Sequence, residues 1–355
     1  MALSNRVISI TEEKYVPTSI DGILNSNVFT SRLFMRENKN WGGRQIMIPL
    51  QFAKPTTGGS FSGVGDFDTA LQDTRIRQTF DHKMFYQNVS VAGGEASLNK
   101  TDAEVLDLVK ITLEEAQNAM IDTIGTQLYG QGIGDDFTGL EAIVDDGTNT
   151  STYAGLTRTT YTQLNSTVTA ASGGALTFAG MAVDMRGASA AGSKRQRPSI
   201  IVTTEVVWDL LESLFTPTIQ ANFDSLSRAN VTTYSKPGVT LQGQDSLKGQ
   251  YGFEALVWRG IPIVADEKAT SGVMYYLNEE YLHWYNLKGV GLTSYKVGGT
   301  VDSVYSEYSR QYPIQWSGFN KPDAQYADVG QFFCLGNLIS GSTRRHSKRT
   351  GITTV

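Results

Sequence analysis

From Thr101 to Gly130 the chain reads TDAEVLDLVKITLEEAQNAMIDTIGTQLYG, a stretch that writes both ends of one long helix. Thr101 followed by Glu104 is a capping box, in which two otherwise unpaired amides are satisfied reciprocally. Asp102 and Glu104 add negative charge at the positive end of the helix dipole. Apolar residues recur at Leu106, Val109, Leu113, Ala116, Met120, Ile124 and Leu128, the spacing of one helical face. Val105, Leu108 and Ala119 are expected to widen that face, and Gly130, Gly132 and Gly134 to end it. A rod of about 40 Å follows from 1.5 Å per residue, against a usual helix of about 11–12 residues. A rod of this length is a spine rather than one wall of a small globule.

On the N-terminal side, residues 1–43 form an arm with a short helical pattern through Ile23, Leu24, Val28, Leu33 and Phe34. It has too little apolar mass for a core of its own and is expected to lie on another surface. In RQIMIPLQF, Ile46, Ile48, Leu50 and Phe52 alternate with Gln45, Met47, Pro49 and Gln51, which is strand periodicity. Pro49 places that strand at an edge. Lys54 to Asp66 is a Gly/Ser-rich tip, and Thr74 to Val91 is the return, with Ile76, Phe80, Met84 and Tyr86 on one parity and Arg75, Arg77, Asp81 and Lys83 on the other. A two-stranded ribbon is marginal alone in water, so this one is expected to be ordered by a neighbouring subunit.

On the C-terminal side, TGLEAIVDDG reads as a short strand and turn, Leu176–Ala191 as a helix, RPSIIVTT as a buried strand and EVVWDLLESLF as a helix capped by Thr204. ALVWRGIPIVADE and VMYYLNEEYLHWY read as further strands of a mixed α/β lobe. Trp284 to Trp316 reads as long antiparallel strands turning at Val297–Thr300, QFFCLGNLISG as another strand, and STRRHSKRTG as a basic tail.

Across its 355 residues the chain is poor in charge (18%) and carries 36 glycines and 16 tyrosines, which suggests broad surface for protein contact. A net charge of −5 gives no global basic field drawing it to nucleic acid. One cysteine, Cys334, among Phe332, Phe333 and Leu335, excludes an internal disulfide framework. No stretch has signal-peptide or membrane-span character, so the chain is expected to be made inside a cell and to stay out of the membrane.

The chemistry of sites is thin. His82, His283 and His346 are the three histidines, and no Gly-x-Ser-x-Gly elbow or Cys-His arrangement accompanies them. The glycines of YGQGIGDD follow a helix instead of leading into one, so they are a helix stop and not a phosphate loop. Asp135-Asp136 and Asp145-Asp146 lack calcium-loop spacing and read as solvated turns. No cofactor and no metal are expected.

The order of elements resembles the major capsid proteins of tailed double-stranded DNA phages, the Hong Kong 97-type shell fold, an α+β architecture. The hairpin at 44–92, the spine at 101–129, GLEAIV, PSIIVTTEVVWDLL, and GIPIVADE followed by YYLNEEYLHWY carry the resemblance. It implies an N-terminal arm (1–43), an extended hairpin loop (44–93) reaching over an adjacent subunit, and a peripheral-domain spine (94–135). An axial domain (136–280), peripheral strands (281–322) and a C-terminal strand with basic tail (323–355) complete it. The implied function is a virion shell, assembled in the host cytoplasm from pentamers and hexamers around packaged DNA. A portal, a separate scaffold protein and a decoration or cement protein are the implied partners. Lys54, Arg75, Arg77, Asp81 and Lys83 are the candidate intersubunit contacts. Arg344, Arg345, Lys348 and Arg349 are candidates for contact with phosphate backbone or a neighbouring subunit. Members of that family join subunits by Lys–Asn isopeptide bonds; Lys54 or Lys83 is the available lysine, but without a recognisable Asn and Glu pattern noncovalent assembly is expected. An encapsulin-like nanocompartment, which shares the fold, and a soluble α/β enzyme are the alternatives.

Overall fold

The computed structural model describes residues 27–36, 39–63, 65, 67–98, 108–189, 197–219, 255–287, 296–297, 300–301, 314–322 and 326–353. Most of the arm and the Thr101–Glu104 capping box lie outside these residues. The helices are α1 (Val28–Met35), α2 (Gly93–Leu98), the spine α3 (Leu108–Tyr129), α4 (Leu140–Ile143), α5 (Phe178–Ala188) and α6 (Glu205–Ile219). The strands are β1 (Lys39–Trp41), β2 (Gln45–Gln51), β3 (Arg75–Asp81), β4 (Lys83–Ala92), β5 (Thr152–Tyr153), β6 (Leu156–Thr157), β7 (Thr167–Ala170) and β8 (Ile200–Thr203). They continue as β9 (Ala255–Trp258), β10 (Ile261–Ala265), β11 (Met274–Leu277), β12 (Leu282–Leu287), β13 (Lys296–Val297), β14 (Thr300–Val301), β15 (Ile314–Trp316), β16 (Ala327–Ser340) and β17 (Ser347–Thr350).

Two sheets organise the molecule. In the first, β1, β12, β16 and β15 lie in that order and β4 also pairs with β16. The second has the order β7-β17-β11-β8-β10-β9. The described spine, about 33 Å long at 1.5 Å per residue, buries Leu113, Ala116, Met120, Ile124 and Leu128 as its spacing requires. The face is widened by Thr112, Gln117, Ile121 and Gly125, whereas Ala119 is exposed. Gly125 takes the Asn27 side chain close against the helix, where a Cβ would sit 3.2 Å from it. The helix stops where Gly132 and Gly134 take φ of +71° and +65°, a conformation open to glycine.

The second sheet is a middle layer. Ile200, Val202, Tyr275 and Leu277 join the core that holds the spine, while Ile201, Ile263, Met274 and Tyr276 join a separate core under α5 and α6. Burial on both faces explains why β8 reads as a continuous apolar run. Helix α6 turns Val207 and Leu211 inward, with Leu210 and Leu214 beside them. The β9–β10 turn uses Arg259 at φ +52° and Gly260 at φ +80°, the paired positive φ values of a tight hairpin.

The end of the arm lies on another surface, as expected: Val28, Phe29, Leu33 and Phe34 of α1 are buried with the spine. Three expectations are corrected. The segment after the spine, read as a strand, is the short helix α4. VMYYLNEEYLHWY divides between the two sheets, because the turn at Asn278 to Tyr281 sends β11 into one and β12 into the other. The basic tail, finally, is strand β17, inserted between β7 and β11. Strands β13 and β14 pair antiparallel, Lys296 with Val301 and Val297 with Thr300.

Strand β16 is the crowded centre of the first sheet, and a Cβ at Gly336 would run into the Tyr285 carbonyl oxygen. Gly336→Ala is expected to destabilise the subunit by about 2 kcal/mol or more, as overpacking against backbone does. Gly341→Ala, which meets open space, is expected to change it by less than about 0.5 kcal/mol. Urea unfolding of the two variants checks this.

Candidate functional site: an assembly surface

The ribbon is built differently from its sequence parity. Strands β2 and β3 pair from Gln45↔Asp81 to Gln51↔Arg75. Beyond His82, β4 leaves the ribbon and pairs antiparallel with β16 from Lys83↔Gly336 to Ala92↔Ala327. The inward side changes at that unpaired residue: Ile76, Gln78 and Phe80 face in before it, and Phe85, Val89 and Val91 face in after it. One inserted residue exchanges the faces of every side chain that follows. Met84 and Tyr86 therefore lie exposed, opposite Leu335 and Phe333 of β16, and do not share a face with Phe80.

The free ribbon is thus 45–81, and one of its faces is covered by its own chain. Ile46, Ile48 and Leu50 pack against the main core alongside Ala154, Leu156 and Tyr161. The Phe52 ring meets Tyr161 edge-on at 5.6 Å. Gln163 Nε2 donates to the Phe52 carbonyl, and the Thr79 amide donates to Ala154 O at 3.0 Å. The expectation that only a neighbour could order the hairpin is corrected to this extent. Its other face and its tip remain outside: Met47 is 52% exposed, Phe61 66%, Phe67 67% and Leu71 103%. The loop holds its own shape through Thr56 and Gln72, which exchange two hydrogen bonds of 2.7 Å, and through the edge-on Phe61–Phe67 pair at 5.1 Å. The result is a pre-shaped loop that presents aromatic and aliphatic side chains to its surroundings.

The candidate contacts divide accordingly. Lys54, Arg75, Arg77 and Asp81 are exposed on the ribbon or its loop. Arg77 reaches the Met47 sulfur at 3.6 Å, and Asp81 accepts from Gln45 Nε2 at 2.6 Å. Lys83 belongs to the first sheet, where its ammonium donates to the Gly134 carbonyl. Of the basic tail, Arg344 is exposed and Arg345 half-buried. Lys348 and Arg349 are buried, which corrects their reading as contacts for phosphate or a neighbour. Arg349 makes a two-pronged bond to the fully buried Asp184, Nε–Oδ2 2.6 Å and Nη2–Oδ1 3.0 Å, and Lys348 Nζ lies 3.7 Å from Asp145.

Asp145 is no solvated turn: it is fully buried, and its Oδ2 accepts from the amides of Gly147, Asn149 and Thr150 at 2.9, 3.2 and 2.9 Å. Arg158, also fully buried, donates to the carbonyls of Ala142, Asp145 and Leu164 and lies over the Tyr153 ring at 5.3 Å. Burial lowers the Lys348 ammonium below its usual range, with Asp145 opposing that shift. Sequence reasoning missed Asp184 and Arg158 altogether, because an acid in a helix and an arginine in a Thr-rich loop look solvated until the fold closes over them.

His346 is buried between the sheets, its Nδ1 accepting from the Asn278 amide at 3.2 Å and its Nε2 lying 2.9 Å from Ser340 Oγ. Since Nδ1 accepts, the proton sits on Nε2, which donates to Ser340. A histidine activating a serine needs the reverse tautomer, so this Ser–His pair is structural. Cys334 is fully buried and burial pushes its thiol up, which leaves it inert. Among the described residues no three His, Cys, Asp or Glu side chains form a metal-ligand group, and no helix is long and apolar enough to cross a membrane.

No protein-family model and no curated protein sequence matches this chain. Solved structures do. The capsid asymmetric unit of cyanophage A-1(L) is similar over 97% of each chain with a TM-score of 0.69 and 16% identity. The holo-SrpI encapsulin complex of Synechococcus elongatus PCC 7942 matches with a TM-score of 0.54 and 10% identity, covering 99% of this chain and 96% of that one. The capsid of a native GTA particle matches at 0.51 and 11%, covering 96% and 95%. The fold is therefore the α+β Hong Kong 97-type shell fold.

Two outcomes are expected. Asp184→Asn leaves Arg349 buried without its counter-charge and should cost about 3–5 kcal/mol in chemical unfolding. Burial lowers His346 from 6.5 to about 3 and, with Lys39 and Arg36 adding to burial, His283 from 6.5 to about 4. The unfolded chain takes up protons that these folded rings refuse, so stability is complete above pH 6.5 and falls as pH drops toward 4 and 3. The slope is at most about 1.4 kcal/mol per pH unit for each ring. His346→Gln should remove its share of that slope between pH 6.5 and pH 4, read by unfolding at stepped pH.

Proposed function

We propose that this chain is the major capsid protein of a tailed double-stranded DNA phage, self-assembling into the icosahedral head shell that encloses the genome. The observation that carries the proposal is the exposed ribbon tip, Phe61, Phe67 and Leu71, projecting from a shell fold whose similarity extends over nearly the whole chain. A tip of this kind on one part of the subunit and its receiving surface on another give a heterologous contact, which closes into rings and shells when its rotation closes. The role is structural and not catalytic, consistent with capsid proteins among the similar structures and with the tautomer of His346. The shell would be assembled in the host cytoplasm from pentamers and hexamers, with a portal, a separate scaffold protein and a decoration or cement protein as partners and DNA held without sequence preference. Arg344 and Arg345 are the remaining basic residues of the C-terminal segment for contact with phosphate or a neighbour.

A nanocompartment is the second reading, favoured by the match to the SrpI encapsulin complex but at lower similarity than to the cyanophage capsid. Electron micrographs of the purified chain should show closed shells, and their contents separate the readings: packaged DNA for the first, a protein cargo for the second. Phe61→Ser/Phe67→Ser/Leu71→Ser should abolish shells while leaving the thermal unfolding of the dissociated subunit unchanged. A discrete wild-type monomer would sink the shell reading.

A further inference from the structure

Two buried side chains that the shell role does not use meet where β17 passes the loop after α4. Asp145 is fully buried and Lys348 is 2% exposed. The backbone fixes both. Lys348 lies in register with Tyr275 on one side of β17 and with Val168 on the other. The main-chain carbonyl of Asp145 accepts from the Ser166 amide at 2.9 Å and from the Arg158 guanidinium.

The two carboxylate oxygens of Asp145 have opposite surroundings. Oδ2 accepts from the amides of Gly147, Asn149 and Thr150 at 2.9, 3.2 and 2.9 Å. Oδ1 accepts no hydrogen bond from the described residues, although Lys348 Nζ stands 3.7 Å from it. A charge-assisted hydrogen bond closes to about 2.7–2.9 Å, so this ion pair is left open at its centre. Buried charge held in that way is costly, and joining the two groups as an amide removes both charges at once. Burial lowers the Lys348 ammonium below its usual range, with Asp145 and then Glu141 opposing, which brings the uncharged amine within reach. Glu141 is half-buried, and its Oε1 accepts from Gln131 Nε2 at 3.3 Å. Its charge acts on Lys348 and also on Tyr275, the register partner of Lys348 in β11.

We propose that Lys348 and Asp145 couple as an isopeptide bond, formed inside the folded chain by its own residues, which ties β17 covalently to the loop beginning at Asp145. A proton first passes from Lys348 Nζ to Asp145 Oδ1 within the pair. The amine lone pair then attacks the side-chain carboxyl carbon, forming the N–C bond, and the carbonyl electron pair moves onto Oδ2. The three amides already aimed at Oδ2 stabilise that charge as an oxyanion hole does. A proton leaves the nitrogen, is carried by the Glu141 carboxylate and reaches Oδ1. The C–O bond breaks, Oδ1 departs as water, and the pair on Oδ2 re-forms the carbonyl. One amine and one acid become one amide and one water, with no change of oxidation state. Both partners are buried in one chain, so this bond is distinct from a Lys–Asn bond between subunits at Lys54 or Lys83. It stands independently of the shell reading.

The intact mass of the full chain under denaturing conditions tests the bond. The wild-type chain should be lighter than its sequence by one water, and tandem mass spectrometry of a digest should find a branched peptide joining the Asp145 and Lys348 segments. Lys348→Arg keeps the charge but offers no amine that couples, and should show the full sequence mass. Asp145→Asn should couple with loss of ammonia in place of water and finish at the mass of the coupled wild type, because the product is the same amide. Glu141→Gln should slow coupling about 100-fold, read by following the mass after cell-free synthesis. A folded wild-type chain at its full sequence mass would overturn the inference. So would a water loss that persists in Lys348→Arg, or one that maps to a succinimide at Asp146-Gly147 with no branched peptide.

Discussion

At His82 a continuous stretch of backbone changes partner. Up to Asp81 it pairs with β2 in a ribbon; from Lys83 it pairs over ten residues with β16 in the body of the subunit. The change costs one unpaired residue and exchanges the inward and outward faces. Its consequences extend through the molecule. The inner half of the strand, with Phe85 and Val89, packs into the core that holds the spine. The ribbon then has one face for its own chain and one face, with its tip, for something else.

The second constraint is electrostatic. The second sheet is held together by β17, the last strand among the described residues, and that strand brings Lys348 and Arg349 into a low-dielectric interior. Charges there are tolerated only when paired and hydrogen-bonded. Asp184 and Asp145 supply the pairing, Thr169 donates to Asp184 and the amides after Asp145 donate to its Oδ2, and Ser347 ties to the Asp184 carbonyl at 2.8 Å. A hydrophobic strand would bind in several registers; a strand whose consecutive side chains Lys348 and Arg349 must each meet a different buried carboxylate binds in one. Polar specificity at β17 is thus combined with apolar packing on the spine.

Much of this is visible in the residues alone, and the exceptions have physical causes. The spine was legible because seven apolar residues keep helical spacing and glycines end the run. Strands β8, β10 and β16 were legible from their apolar runs. The face exchange at His82 was not, since the alternation on either side looks continuous and only the choice of a new partner reveals the slip. The basic segment misled because Arg344, Arg345, Lys348 and Arg349 look like one solvated cluster, but the first two lie in the turn before β17 while the last two are in the strand, where the buried acids of distant segments take them. The candidate contacts Arg75, Arg77 and Asp81 on the ribbon were legible as charged positions of one parity. Ion pairs between residues over 160 positions apart, such as Arg349 and Asp184, leave no local signal to read.

The proposed shell requires the outward face and tip of the 45–81 ribbon to meet a neighbouring copy, whereas Lys83 to Ala92 pair within their own chain. Hydrogen–deuterium exchange of assembled shells against dissociated subunits tests it directly. The account expects the amides of residues 83–92 to be protected in both states, and those of the loop from 53 to 73 to gain protection only in the shell. Equal protection of that loop in the two states would contradict it.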